Sequence, residues 1–185
     1  YNRIPLLREM NADLDTPLSI YLKLASESNT YIFESMQGGE KWGRYSLIGL
    51  STNNLLKLTG DHLQIIADGH VQTDLESSDP LGEIQKFKDS FRVPDLPSMP
   101  RFTGGLVGYF GYDSVRYVEK KLATSTPPDQ MNIPDVMLLV SEELIIFDNL
   151  AGTITLVVHA DPSVPDTFNY FNRRLDLLEI KLASP

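Results

Sequence analysis

Between Tyr45 and Asp68 three short runs rich in Leu and Ile, YSLIGLS, LLKLTG and HLQIIAD, are separated only by Asn53-Asn54 and Gly60-Asp61. A parallel connection needs a crossover of a dozen or more residues, and nothing of that length is available here. These runs therefore read as an antiparallel meander. Asp68-Gly69 is a hairpin signal, because both residues tolerate the positive φ of a tight turn; it returns His70-Val71-Gln72 against Gln64-Ile65-Ile66.

The same strand character recurs on either side. Tyr31-Ile32-Phe33 reads as a strand, FTGGLVGYFGYD as a glycine-studded one, and VMLLVSEELIIFD and TITLVVHA as two strong ones joined at Asn149 to Gly152. Helical signals are fewer. Thr16-Pro17 opens a helix with Thr as N-cap and Pro at the first helical position, and Ile20, Tyr21 and Leu24 make its apolar face. Asp79-Pro80 opens a second, with Leu81, Ile84, Phe87 and Phe91 inward. The last, from about Pro165, places Phe168, Phe171, Leu175, Leu178 and Leu182 on one face. A short polar helix-like piece runs from Ser114 to about Lys121, whereas VPDLPSMPR and TSTPPDQMNIPD are connectors. Strands outnumber helices, so the expected fold class is α+β: largely antiparallel β-sheets packed together, with helices on the outer faces.

At 185 residues the chain can form one substantial domain, or two small ones, and bury roughly 70% of its unfolded surface. No apolar run is long enough to cross a bilayer, so no membrane association is expected. The net charge of -9, with only 16 scattered Lys and Arg, argues against a nucleic-acid partner. Zero cysteines exclude disulfides, thiolate catalysis and Cys-based zinc sites, and suit a cytoplasmic location. The chain opens on YNRIPLL with no initiator Met, and its last helix runs to Leu182; a piece of a longer polypeptide is the expectation.

Catalytic chemistry is sparse. His62, His70 and His159 each sit in a strand-like run without a partner at metal-site spacing, so no metal is expected on these residues. The glycines of TGGLVGYFGYD lack a Gly-Lys-Ser/Thr ending and a strand-to-helix position, so they do not read as a phosphate loop. Their structural reading is specific: Gly104, Gly105, Gly108 and Gly111 allow a bulge or a close backbone approach, with Tyr109 and Tyr112 covering what they leave bare. No nucleophile with its base can be assembled, and no catalytic residue is assigned.

One loop stands apart, Glu34 to Gly49, ESMQGGEKWGRYSLIG. Period-two alternation puts Tyr31, Phe33 and Ser35 on one face. A hydroxyl ending an aromatic row could fix a polar ligand group beside an apolar slot; equally, Ser35 could bond its own loop backbone. Arg44, Tyr45 and Ser46 on the returning side add a guanidinium, a phenol and a second hydroxyl, the types that an amino-acid zwitterion calls for.

FESMQGGEKWGRYSLIG resembles the "L-E-S … G-R-Y-S-x-I-G" signature of the N-terminal domain of the anthranilate synthase component I family of chorismate-using enzymes. TPLSIYLKL, FTGGLVGYFGYDSVRYVE and IPDVMLLVSEELIIFD match the same family in the same order. The resemblance implies that residues 1–185 are an N-terminal regulatory domain, with the C-terminal chorismate-binding catalytic domain absent from these 185 residues. It further implies a lyase of tryptophan biosynthesis converting chorismate and ammonia to anthranilate and pyruvate. The expected partners are a glutamine amidotransferase subunit and L-tryptophan as feedback inhibitor; Mg2+ would be held by the catalytic domain, and no cofactor by this one. The family's inhibitor contacts carry over to Ser35, its neighbour Glu34, and Tyr45 and Ser46. Phe33 stands where the family usually has Leu, and Met36 where a small residue is common. Two alternatives accompany this reading: the corresponding domain of aminodeoxychorismate synthase component I, in folate synthesis, and a free-standing amino-acid-binding or subunit-docking module.

Overall fold

The computed structural model describes residues 1–34, 43–95, 97, 99–122 and 132–184. Among them the elements run β1 (Ile4–Asn11), α1 (Pro17–Leu24), β2 (Tyr31–Phe33), β3 (Tyr45–Gly49), β4 (Leu55–Thr59), β5 (His62–Ala67), β6 (His70–Glu76), α2 (Pro80–Asp89), β7 (Gly105–Phe110), β8 (Val136–Ser141), β9 (Glu143–Asp148), β10 (Thr153–Ala160) and α3 (Thr167–Ala183). Two short 3-10 turns, Tyr112–Tyr117 and Lys120–Leu122, follow β7. The fold is α+β, with two five-stranded sheets ordered β1-β10-β9-β3-β2 and β6-β5-β4-β8-β7. All four pairings of the first sheet are antiparallel, as are β4 with β5, β4 with β8 and β5 with β6.

Contacts divide the chain into two compact units. The first comprises Tyr1–Thr52, Phe91–Gly105 and Ser141–Pro185; the second comprises Asn53–Ser90 and Leu106–Val140. In the first unit, Ile48, Ile145, Phe147, Ile154, Leu156 and Val158 share one sheet face and pack with Ile20 of α1 and Leu175, Leu178 and Leu182 of α3. Both helices thus cover the same face of that sheet. In the second unit α2 delivers Ile84 to Leu56, Leu58, Leu63, Val136 and Leu138.

The helix starts follow from their caps. Thr16 accepts from the Ser19 backbone N–H at 3.1 Å while Ser19 Oγ accepts from the Thr16 N–H at 2.9 Å, so two otherwise orphaned donors are satisfied reciprocally. Asp79 accepts from the Gly82 N–H at 3.0 Å. On α3 the buried face begins at Phe171; Phe168, expected inward, lies in the first turn and is 65% exposed.

The structure departs from the sequence expectations in several strands. The edge strand β1 has no counterpart in the sequence reading: its partner β10 is distant in sequence, and no local turn announces the pairing. The run VMLLVSEELIIFD is two strands, broken at Glu142, with β8 in one sheet and β9 in the other. Likewise the meander is β4-β5-β6, and β3 pairs instead with β2 and β9. The glycines of β7 behave as expected. A Cβ on Gly108 would lie 1.9 Å from the Met137 carbonyl oxygen, so the two backbones meet where only hydrogen fits. Tyr112, however, is 92% exposed and covers nothing.

Candidate functional site

The register of β2 on β3 pairs Tyr31 with Gly49, Ile32 with Ile48 and Phe33 with Leu47. Strand alternation then sends Tyr31, Phe33, Leu47 and Tyr45 to one face, and Ile32, Ile48 and Ser46 to the helix-covered face. Gly49 is what lets the aromatic row form: a Cβ there would stand 1.9 Å from the Tyr31 ring. Lying across this gap, Tyr31 places its hydroxyl 2.8 Å from Ser141 Oγ. Burial pushes the Tyr31 phenol up, and the Ser141 bond works against that shift. Phe33 follows with its ring centroid 5.1 Å from that of Tyr31.

Phe33 is 52% exposed and Tyr45 48%, so this end of the sheet presents two aromatic surfaces to solvent. Glu34, just past β2, is exposed as well. Ser35 lies outside the described residues. Ser46 is buried and its Oγ accepts from Asn149 Nδ2 at 3.2 Å. The four expected contact residues are therefore not all brought together: Glu34 and Tyr45 are exposed, whereas Ser46 is turned inward.

Arg44 is directed differently from the sequence reading, which offered its guanidinium to a ligand. Nε donates to Asp148 Oδ1 at 3.0 Å and Oδ2 at 2.8 Å, and Nη2 to Oδ2 at 2.6 Å. Asp148 Oδ1 also accepts from the backbone N–H groups of Leu150 and Ala151, both at 3.0 Å. Arg44 first, then the two turn amides, hold the Asp148 carboxyl below the usual carboxylate range, against the opposing effect of burial. Asn149 completes the attachment: its backbone N–H reaches the Arg44 carbonyl at 2.8 Å, and its Nδ2 reaches the same oxygen at 3.2 Å. The Arg44 guanidinium carbon stands 5.0 Å from the centroid of the Tyr45 ring. Sequence reasoning missed Asp148 and Asn149 because only the β3–β9 pairing, Tyr45 opposite Asp148, brings them to the loop.

Two other polar groups merit placement. His159 is buried, and its Nε2 donates to the Thr103 carbonyl at 2.7 Å; burial lowers its pKa, and the Thr103 bond works against that shift. Across β5 and β6, His62 pairs with Glu76, and with Asp61 these side chains bring ligand-type atoms within 4.8 Å of one another, all exposed. The residue spacing gave no sign of that group, since Glu76 arrives by strand pairing. Chemically, the end of β2 and β3 offers aromatic faces, a phenol and a carboxylate. Those are recognition groups, with no nucleophile and base among the described residues there.

No family model matches the chain. It is 51% identical over 185 residues to the anthranilate synthase component 1 of Pseudomonas putida, and likewise to that of Pseudomonas aeruginosa, with 100% of this chain and 38% of each relative covered. Identity to the component 1 of Neisseria meningitidis serogroup B is 47%, across 98% of this chain and 38% of the relative. Among solved structures, anthranilate synthase component I from Streptococcus pneumoniae TIGR4 superposes with a TM-score of 0.53 at 23% identity, covering 96% of this chain and 37% of that one, which speaks to the fold. The chain thus spans about 38% of the length of the curated relatives it matches.

Proposed function

Since this chain belongs to the anthranilate synthase component 1 family, we propose that it is the N-terminal, L-tryptophan-sensing part of an enzyme that makes anthranilate and pyruvate from chorismate and ammonia. The observation carrying this reading is 51% identity along the whole chain to proteins of that name. No observation favours the aminodeoxychorismate synthase alternative or a free-standing module. In the proposed enzyme a glutamine amidotransferase subunit supplies the ammonia, the lyase chemistry belongs to a chorismate-binding domain of the same polypeptide, and the cytoplasm is its location.

Recognition of tryptophan uses the open end of β2 and β3. Glu34 accepts from the ammonium group, Ser35 supplies a hydroxyl, and Tyr45 offers a ring face to the indole. Ser46, buried and bonded to Asn149, supports the strand from behind. Ligand binding here disfavours a catalytically competent conformation, with a coupling of about 1–3 kcal/mol expected for such a link. Mg2+ does not fit the group that the described residues offer: Asp61, His62 and Glu76 are exposed and include an imidazole, whereas Mg2+ requires near-octahedral oxygen ligands.

The test is anthranilate formation by the full-length polypeptide from chorismate and ammonium, followed by product fluorescence with increasing L-tryptophan. Ser35→Phe should raise the half-inhibiting tryptophan concentration about tenfold or more, equivalent to ~1.4 kcal/mol of lost binding, while changing uninhibited turnover far less. Parallel loss of turnover and inhibition would make Ser35 structural, and absence of an anthranilate product would overturn the assignment of activity.

A further inference from the structure

Where the chain re-enters the first sheet at Arg44, it is held by more bonds than strand pairing needs. Three hydrogen bonds run from Arg44 to Asp148, and Asp148 is itself tied to the two amides of the turn after β9. The acceptor is therefore fixed to its own turn and cannot follow the guanidinium if Arg44 swings. Asn149 of the same turn grips the Arg44 carbonyl from backbone and side chain together. What this leaves available is the guanidinium plane, 5.0 Å from the Tyr45 ring centroid. An arginine that is bidentate to a carboxylate has a set orientation, and a ring against it loses much of its freedom to turn about χ1 and χ2. Tyr45 nonetheless stays 48% exposed, so the ring is held without being covered.

Building on the tryptophan-sensing reading, we propose that the Arg44–Asp148 pair is a positioning device. It presents the Tyr45 ring as a rigid wall against which the aromatic side chain of the bound amino acid packs. Arg44 is a positioning residue: its Nε and Nη2 are directed to Asp148, and it acts on the ligand through Tyr45. A rigid wall also selects. A planar indole stacks on a fixed ring, whereas an aliphatic side chain gains little from its orientation. Lysine cannot stand in for Arg44, because a point charge on a flexible stem can meet Asp148 but offers no plane to the ring.

The experiment measures half-inhibiting L-tryptophan concentrations for the full-length enzyme with chorismate and ammonium, comparing wild type, Arg44→Lys, Arg44→Gln, Tyr45→Ala and the Arg44→Gln/Tyr45→Ala double variant. Each Arg44 variant should raise that concentration by about 3–10-fold, the scale of a stacked guanidinium on an aromatic ring. In the Tyr45→Ala background Arg44→Gln should add nothing further, since the wall it positions is gone. Fold-changes that multiply in the double variant would mean that Arg44 acts independently of Tyr45, and the proposal would fall. It would fall equally if both Arg44 variants were inhibited like wild type. Should Arg44→Gln fold poorly, Arg44→Lys keeps the charge pair with Asp148 and decides alone. The underlying reading fails separately: a wild-type enzyme insensitive to tryptophan would remove the sensor assignment, and this proposal with it.

Discussion

Asp148 carries a charge that the folded chain stabilises more than the unfolded chain does. Its pKa is lowered, so the folded state binds its proton less tightly, and the stabilisation is present above the unfolded carboxylate pKa of about 3.9. It is lost as pH falls through the depressed folded value. Urea unfolding across a pH range of roughly 2 to 6 should show Asp148→Asn below wild type in stability at the upper end and converging with it at the lower end, the change beginning near the ordinary carboxylate value of about 4 and continuing below it. His159 works on a different part of the pH scale. Its folded pKa is also lowered, so the unfolded chain takes up a proton first, and stability declines as pH drops below the unfolded value of about 6.5. Replacing His159 with Phe removes that dependence and orphans the Thr103 carbonyl, costing about 1–3 kcal/mol in urea titrations at neutral pH. At this scale the sequence named residues of the loop but not their partners. Tyr45 and Glu34 stand exposed, whereas the placement of Arg44 and Ser46 depends on Asp148 and Asn149, which arrive by strand pairing more than a hundred positions away in sequence.

Elements declared by local chemistry were readable. Thr16-Pro17 makes the expected capping arrangement on α1, and Asp68 and Gly69 take φ values of 51° and 77°, the positive pair that a tight hairpin requires. Elements that depend on distant partners were not. Nothing near Ile4–Asn11 reports that β10 will pair with it, and although Ser141-Glu142-Glu143 interrupts VMLLVSEELIIFD, nothing local shows that the two apolar halves join different sheets. The glycine reading of β7 has a direct check. Gly108→Ala would drive a methyl group against the Met137 carbonyl, a backbone atom that cannot step aside cheaply. It should cost about 1–3 kcal/mol by denaturant titration, as for an overpacked core position. Gly111→Ala, whose added Cβ would meet the Asp135 carbonyl at 3.1 Å, should cost less.

For the molecule as a whole, no helix among the described residues is long and apolar enough to cross a membrane. If the tryptophan site draws the rest of its contacts from the polypeptide outside these 185 residues, calorimetric titration of this chain alone should give a dissociation constant well above micromolar. A low-micromolar value, roughly -8 kcal/mol, would place the whole site here. The two compact units are interleaved along the chain: the first is assembled from three separate stretches and the second from two. That arrangement has a consequence for synthesis on the ribosome. Ile4 pairs with Ala160, so β1 emerges early and finds its neighbour only after roughly 150 further residues, a wait of ~8–30 s at about 5–20 residues per second. Throughout that interval its backbone donors and acceptors are open to any passing strand. Pro5, which has no N–H to offer, interrupts that row and makes the waiting segment a poorer template for aggregation.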